Sequence, residues 1–277
     1  MNNIDLFKVF VHMDDGLKDK NIRELLERKR YREDARMSLS ELATLQVAFQ
    51  HGAFRHMKAF WLHVKTWLSH LFPNLVCYSR FMMWMREAGK AVELLLEENL
   101  SKWDGFGLLD SSKLPVAHQD RRGPKVFRKT ASYGHTAFGR FYGFKLHLLC
   151  DRNGKIIRWG LTTGSVHDLS PVKEGFLDGL EGMVLADSGY VSRDERFRLM
   201  SGNLDFVARP RKNQDEWDRD AWERKYGKIY KLRQRVEGVF NDLKNNGMMV
   251  SFRHHHPDSV RVYVVSALLA YQLLFVL

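Results

Sequence analysis

In the stretch YKLRQRVEGVFNDLK, the polar residues Tyr230, Arg233, Glu237 and Lys244 share one narrow arc of a helical wheel. It lies beside an apolar arc of Ile229, Leu232, Val236, Val239, Phe240 and Leu243. This spacing puts Glu237 next to a packing partner rather than far out in water. The plainer alternative is a surface ion pair, although its order, base before acid, is the weaker one for helix stability. Upstream, Asp110 in GLLDSS and Asp187 in MVLADSGY each close an apolar, strand-like run and precede small residues. Carboxylates at neighbouring strand ends are where an open α/β sheet places its site. Taken singly, each would be a turn former or a helix cap. Three carboxylates converging without a cationic partner would repel, so the trio calls for Mg²⁺ or Mn²⁺, the ions that hard oxygen donors select. Two such ions about 3.5 to 4 Å apart can activate a nucleophile and stabilise the leaving oxygen of a phosphodiester.

The elements that must hold these residues change character along the chain. From Trp103 the runs FGLLDSSKLP, FYGFKLHLLCD, KIIRWGLTTG, GMVLADSGY and DFVARPR read as short strands, and CDRNGK is a hairpin turn between the second and third. Helices are expected over about 169–180, 192–200 and the opening stretch, with RKNQDEWDRDAWERKYG as a charged loop before it. Three linked strands followed by alternating helix and strand give a mixed α/β sheet flanked by helices. Residues 1–102 read as an all-helical region, broken at Gly52 and Pro73. Two helices about Gly52, the second bearing Arg55, His56 and Lys58, are either a helix-turn-helix or an ordinary helix pair. The charged stretch 17–40 is a solvated helix face.

Composition narrows the partners. Of a formal net charge of +11, only +2 falls on residues 1–104, so the excess cation lies in the second part of the chain. Such a balance points to a polyanion, and nucleic acid is favoured over a membrane because no long basic amphipathic arm is visible. Between the first two strands, Arg121, Arg122, Lys125, Arg128, Lys129 and Arg140 accompany a single acid, Asp120. That loop suits phosphate contacts, with a solvated surface loop as its alternative. Two cysteines are too few for a disulfide framework or thiolate metal site, and with no secretory signal at the start a reducing cytoplasm is expected. The terminal VYVVSALLAYQLLFVL is short for a membrane span and carries Ser266, Tyr271 and Gln272, so it reads as a buried final helix. His254 to His256 are adjacent and cannot all face one ion, whereas His167 could orient a water or a phosphate or be structural.

Together, the order of strands, the trio Asp110, Asp187 and Glu237, and the spacing of Tyr230, Arg233, Glu237 and Lys244 resemble the DDE transposases of bacterial insertion sequences. One branch of these carries the signature Tyr-x2-Arg-x3-Glu-x6-Lys, and every position of it is present here. The stretches TTGSVHDLS and LADSGY are similar in texture to motifs of that family. The resemblance implies a ribonuclease-H-like catalytic domain over 103–277, with 1–102 as a helical region that binds DNA ends. It also implies two Mg²⁺ or Mn²⁺ ions held by Asp110, Asp187 and Glu237, phosphates held by Arg233 and Lys244, and a sugar or base contacted by Tyr230. The partners would be the terminal inverted repeats and target DNA, bound by a nucleoid-associated homodimer. Some relatives insert a β subdomain before the glutamate helix; only 50 positions separate Asp187 from Glu237 here. A catalytically silent DNA-binding descendant and a nuclease without strand transfer are the rival readings.

Overall fold

The computed structural model of the chain describes residues 5–19, 36–52, 54, 56–117, 127, 130–136, 139–211, 216–245, 249 and 257–277. In chain order the elements are α1 (Leu6–Lys18), α2 (Leu39–His51), α3 (Met57–Trp67), α4 (Tyr78–Glu87), α5 (Gly89–Asn99), β1 (Phe106–Ala117), β2 (Ser132–Thr136) and β3 (Gly139–Cys150). There follow β4 (Ile156–Thr163), α6 (Ser170–Lys173), β5 (Gly182–Ala186), α7 (Arg193–Ser201), β6 (Leu204–Ala208), α8 (Glu216–Tyr230), α9 (Gln234–Asn245) and α10 (Pro257–Leu273). They form two compact units, 101–240 and 1–100 together with 241–277. The final helix therefore groups with the N-terminal helices, whereas the sequence reading placed all of 103–277 with the sheet.

In the helical unit, α2 starts at a capping box: the Ser38 hydroxyl accepts from the Glu41 N–H and the Glu41 carboxylate accepts from the Ser38 N–H. Nearly every residue of α2 is buried, and several of its polar side chains are paired, although Gln50 Oε1 is buried without a hydrogen-bond partner. Ser266 donates to Gln46 Oε1 at 2.7 Å, and Gln46 Nε2 donates to the Met85 carbonyl at 2.8 Å. The apolar C-terminal run is the buried helix expected of it, α10, packed on α2 and α5. Gly89 permits that approach, because a Cβ there would lie 2.3 Å from Val262 Cγ2. Among the described residues no helix is long and apolar enough to cross a membrane.

In the other unit, the strands run in the order β4, β3, β1, β5, β6, with β2 sharing one edge of β3 with β4. The first four strands pair antiparallel through β3, and β5 and β6 then add in parallel to β1. The hairpin turn stands where the sequence put it: Asp151 accepts from the N–H groups of Asn153 and Lys155, and Gly154 takes φ +88°. Leu109, Leu149, Val184 and Phe206 on one sheet face pack with Leu169, Val172, Leu177 and Leu199.

Four local expectations are corrected. Asp110 lies inside β1, not at its end, because β1 continues to Ala117 on β3 after its pairing with β5 has stopped. The helix expected over 169–180 is only α6, since Pro171 fixes its start and Gly175 and Gly179 turn the chain at φ +94° and +75°. Most of the supposed charged loop is α8. Counting charges hid its aromatic series Trp222, Tyr226 and Tyr230, spaced one turn apart, in which the Trp222 ring meets both tyrosine rings. Finally, 230–244 is not one uniform helix: a 3₁₀ turn, Lys231–Arg233, separates α8 from α9 where Arg233 reaches toward β1.

Candidate active site

The parallel ladder between β1 and β5 ends with Leu109 opposite Ala186, so Asp110 and Asp187 are the next residues along two strands about 4.8 Å apart. Backbone fit sets this register. Gly182, at φ +107°, opens β5 so close to β1 that a Cβ would sit 2.2 Å from the Gly105 carbonyl oxygen. Each aspartate also binds the N–H of the residue after it, Ser111 at 2.8 Å and Ser188 at 2.7 Å. Asp187 thus does cap a short 3₁₀ turn, the modest role the sequence allowed it.

Arg233 joins the parts. Its guanidinium donates to Asp110 Oδ2 at 3.0 Å and, through its other terminal nitrogen, to the Glu237 carboxylate. Its side chain is only 14% exposed, whereas that of Glu237 is 50% exposed. The carboxylates therefore do have a cationic partner, contrary to the premise that called for a metal ion. Burial pushes Asp110 up to about 6 against the opposing pull of Arg233, and the Asp187 charge adds to the rise. Tyr230 donates its hydroxyl to the Ala186 carbonyl at 3.1 Å, which ties the end of α8 to the strand that delivers Asp187. Among the described residues, no three or more His, Cys, Asp or Glu side chains stand close enough together to hold a metal ion.

Tyr230, Arg233, Glu237, Asp110 and Asp187 thus lie in one unit, where Arg233 joins Asp110 to Glu237 and Tyr230 is bonded to the residue before Asp187. Lys244 lies beyond residue 240, on the part of α9 that belongs to the helical unit. Arg121, Arg122, Lys125, Arg128 and Lys129 fall outside the described residues, as do Arg55 and His254 to His256. Arg140 is described, with its guanidinium carbon 4.8 Å from the Tyr133 ring centroid. His167 is exposed and accepts from the Leu169 N–H, a local turn contact.

A second polar group was missed. On the face of β1 opposite Asp110, Lys145 donates to Asp168 at 2.9 Å and to the Val166 carbonyl at 2.8 Å, while Ser111 donates to Asp168 at 2.8 Å. Burial alone would raise Asp168, but the hydrogen bonds from Lys145 and Ser111 outweigh it and hold the carboxyl below its ordinary value. His147, two residues from Lys145 on the same face, shares a hydrogen bond with Thr162, and burial depresses it to about 4. Tyr190 is buried nearby and its phenol is pushed well up, by burial first and then by the surrounding acids. The signal was available: Lys145 and His147 alternate within the apolar run FYGFKLHLLC, and an inward-facing charge on a strand requires a partner.

Asp110 and Asp187 thus stand side by side where β1 and β5 stop pairing in a mixed sheet, and Glu237 on α9 is joined to Asp110 through Arg233. The transposase DDE domain family matches residues 100–257, and the chain belongs to that family. Among solved structures, a piggyBac transposase synaptic complex with hairpin DNA, determined by cryo-EM, is similar. It has 13% sequence identity over 98% of this chain and 75% of that one, with a TM-score of 0.53. That likeness identifies the fold as ribonuclease-H-like. No curated protein matches the chain.

Proposed function

We propose that the chain is the transposase of an insertion sequence, of the branch carrying the Tyr-x2-Arg-x3-Glu-x6-Lys signature. It binds terminal inverted repeats through its helical region, cleaves DNA at the ends and transfers the freed 3′ end to target DNA. The observation that carries this reading is the adjacent register of Asp110 and Asp187, with Arg233 joining Asp110 to Glu237, inside a DDE transposase domain.

The donor set suits Mg²⁺ or Mn²⁺ in kind, since it consists of carboxylate oxygens, and Asp110 is buried enough to resist ionisation, with the Asp187 charge adding to that. Asp110, Asp187 and Glu237 would hold two ions, which supply nucleophile activation and charge stabilisation at the leaving oxygen. The chain's own contribution is placement. β1 and β5 fix the aspartates, and Tyr230 holds the turn before α9 on Ala186 while offering its ring to a sugar or base. Arg233 and Lys244 offset phosphate charge near the scissile bond. The basic loop, with Arg121, Arg122, Lys125, Arg128 and Lys129, adds sequence-independent backbone contacts. Two DNA ends must be brought together, which a homodimer on DNA accomplishes.

Linear DNA ending in the repeats that flank the coding sequence, incubated with the full chain and Mg²⁺, tests the reading when its products are sequenced. Cleavage at the repeat ends with joined products is expected. Asp110→Asn and Asp187→Asn should each lower cleavage by several orders of magnitude while thermal melting shows an intact fold. Cleavage without joining would leave a nuclease, and near wild-type cutting by either variant would overturn the assignment of these carboxylates.

A further inference from the structure

Arg233 occupies an unexpected place for a phosphate contact. One of its terminal nitrogens is on Asp110 and the other on Glu237, so a single guanidinium bridges two of the three carboxylates through its planar fork. Asp110 has both oxygens engaged, one by the Ser111 N–H and one by Arg233. The third acid is turned to the same cation, and among the described residues no group of three acids is gathered for an ion. A buried carboxylate is costly to leave unpaired, so Arg233 satisfies Asp110 when nothing else does. Its hold on Glu237 is weaker in kind, because that side chain is half exposed and water competes for it.

We propose that Arg233 is a partner-exchange latch, which bridges Asp110 and Glu237 in the DNA-free protein and releases both when a DNA phosphate takes the guanidinium. The divalent-ion site is then completed only on DNA, so that metal binding follows DNA binding. This rests on the transposase reading of the same carboxylates and adds an order of assembly to it. A phosphate matches the fork as a carboxylate does, and the exchange keeps Arg233 paired throughout. Since both partners bind one protein, the coupling is reciprocal: DNA tightens the divalent ion, and the divalent ion tightens DNA. An unoccupied, fully ionised carboxylate cluster is thereby avoided before substrate arrives.

The test is Mn²⁺ affinity, read from the free-ion electron paramagnetic resonance signal on the full chain, with circular dichroism to verify folding. In the DNA-free protein, Arg233→Gln should bind Mn²⁺ more tightly than wild type, by about tenfold or more, as expected for coupling between competing sites. Removing a nearby charge could itself tighten a cation, so Arg233→Lys is the second variant. A compact ammonium keeps the charge but cannot span both carboxylates, and it too should bind Mn²⁺ more tightly than wild type. Duplex DNA should tighten Mn²⁺ binding in wild type and much less in Arg233→Gln. Wild-type affinity in Arg233→Lys, or an equal effect of DNA on wild type and Arg233→Gln, would overturn the latch. Asp110→Asn separates the two levels. Mn²⁺ binding that depends on Asp110 but is equal in wild type and Arg233→Gln sinks the latch alone, whereas binding indifferent to Asp110 sinks the metal-site reading and the latch with it.

Discussion

Two ion pairs stand on opposite faces of β1, one residue apart, and they are built differently. On one face Lys145 is closed in by Asp168 and the Val166 carbonyl, and Asp168 also holds the Ser111 hydroxyl. On the other face Arg233 holds Asp110, which is sheltered, and Glu237, which is half in water. The cations are similarly buried, with side chains 10% and 14% exposed. What differs is whether the partners can leave. Lys145 sits on a strand and its contacts fix the β4–α6 connection, so exchange would require the sheet region to open. Arg233 stands on a 3₁₀ turn between two helices, and its fork suits a phosphate as well as a carboxylate. One pair is therefore a fixed support for β1, and the other is the contact that the proposed latch would exchange.

The largest effect that would break this comparison is on stability at the closed pair. Lys145→Met leaves Asp168 with one partner fewer in a partly buried place and should cost about 3 kcal/mol, the lower end for breaking a buried pair because Asp168 is a third exposed. Urea unfolding measures it; a loss no larger than that of an exposed pair would mean that Lys145 is not a fixed support.

The neighbouring histidine sharpens the same contrast through pH. His147 is depressed to about 4 from an ordinary value of 6.5, so the unfolded chain takes up a proton before the folded one does. Its neutral-state stabilisation is fully present above about pH 6.5 and is lost as pH falls toward 4, amounting to about 3 kcal/mol at most. Asp168 and Lys145 face it with opposite signs, which is why burial decides the direction. His147→Gln should flatten the fall in melting temperature between pH 6.5 and 4, and an unchanged slope would place the acid sensitivity elsewhere.

The smallest stability effect is expected at the open pair. Glu237→Gln should cost at most about 1 kcal/mol in thermal melts, since the acid is half exposed. Its effect on cleavage should be the reverse in scale, with cutting abolished and end binding retained. Normal cleavage in this variant would reduce the Arg233–Glu237 contact to the surface pair that the sequence left open.

The sequence alone determined five of the six strands in order, the hairpin at Asp151 to Lys155 and the buried C-terminal helix; β2 (Ser132–Thr136) was hidden in the stretch read as a basic loop. What was legible is local: alternation, turn residues and fixed spacing act over a few positions, and a periodic pattern records them. Helix wheels failed where they assumed uniform geometry, because the 3₁₀ turn at Lys231–Arg233 resets the rotation between Tyr230 and Glu237. The α8 helix was hidden for a related reason: its apolar face is aromatic and interleaved with charge, so the stretch 211–227 reads as loop until Tyr226 is seen donating to Asp205 on β6.

Only the tertiary structure decided which charges meet. Asp110 and Arg233 are 123 positions apart, and Lys145 and Asp168 are separated by a strand, a turn and a hairpin edge. Spacing carries no information about such pairs, whose closeness depends on where β1 stops pairing with β5 and how β3 lies against β1. The acids could be read as ligands from the chain. That an arginine of the same signature already bridges two of them follows from burial, which makes an unpaired Asp110 costly and draws in the nearest available cation.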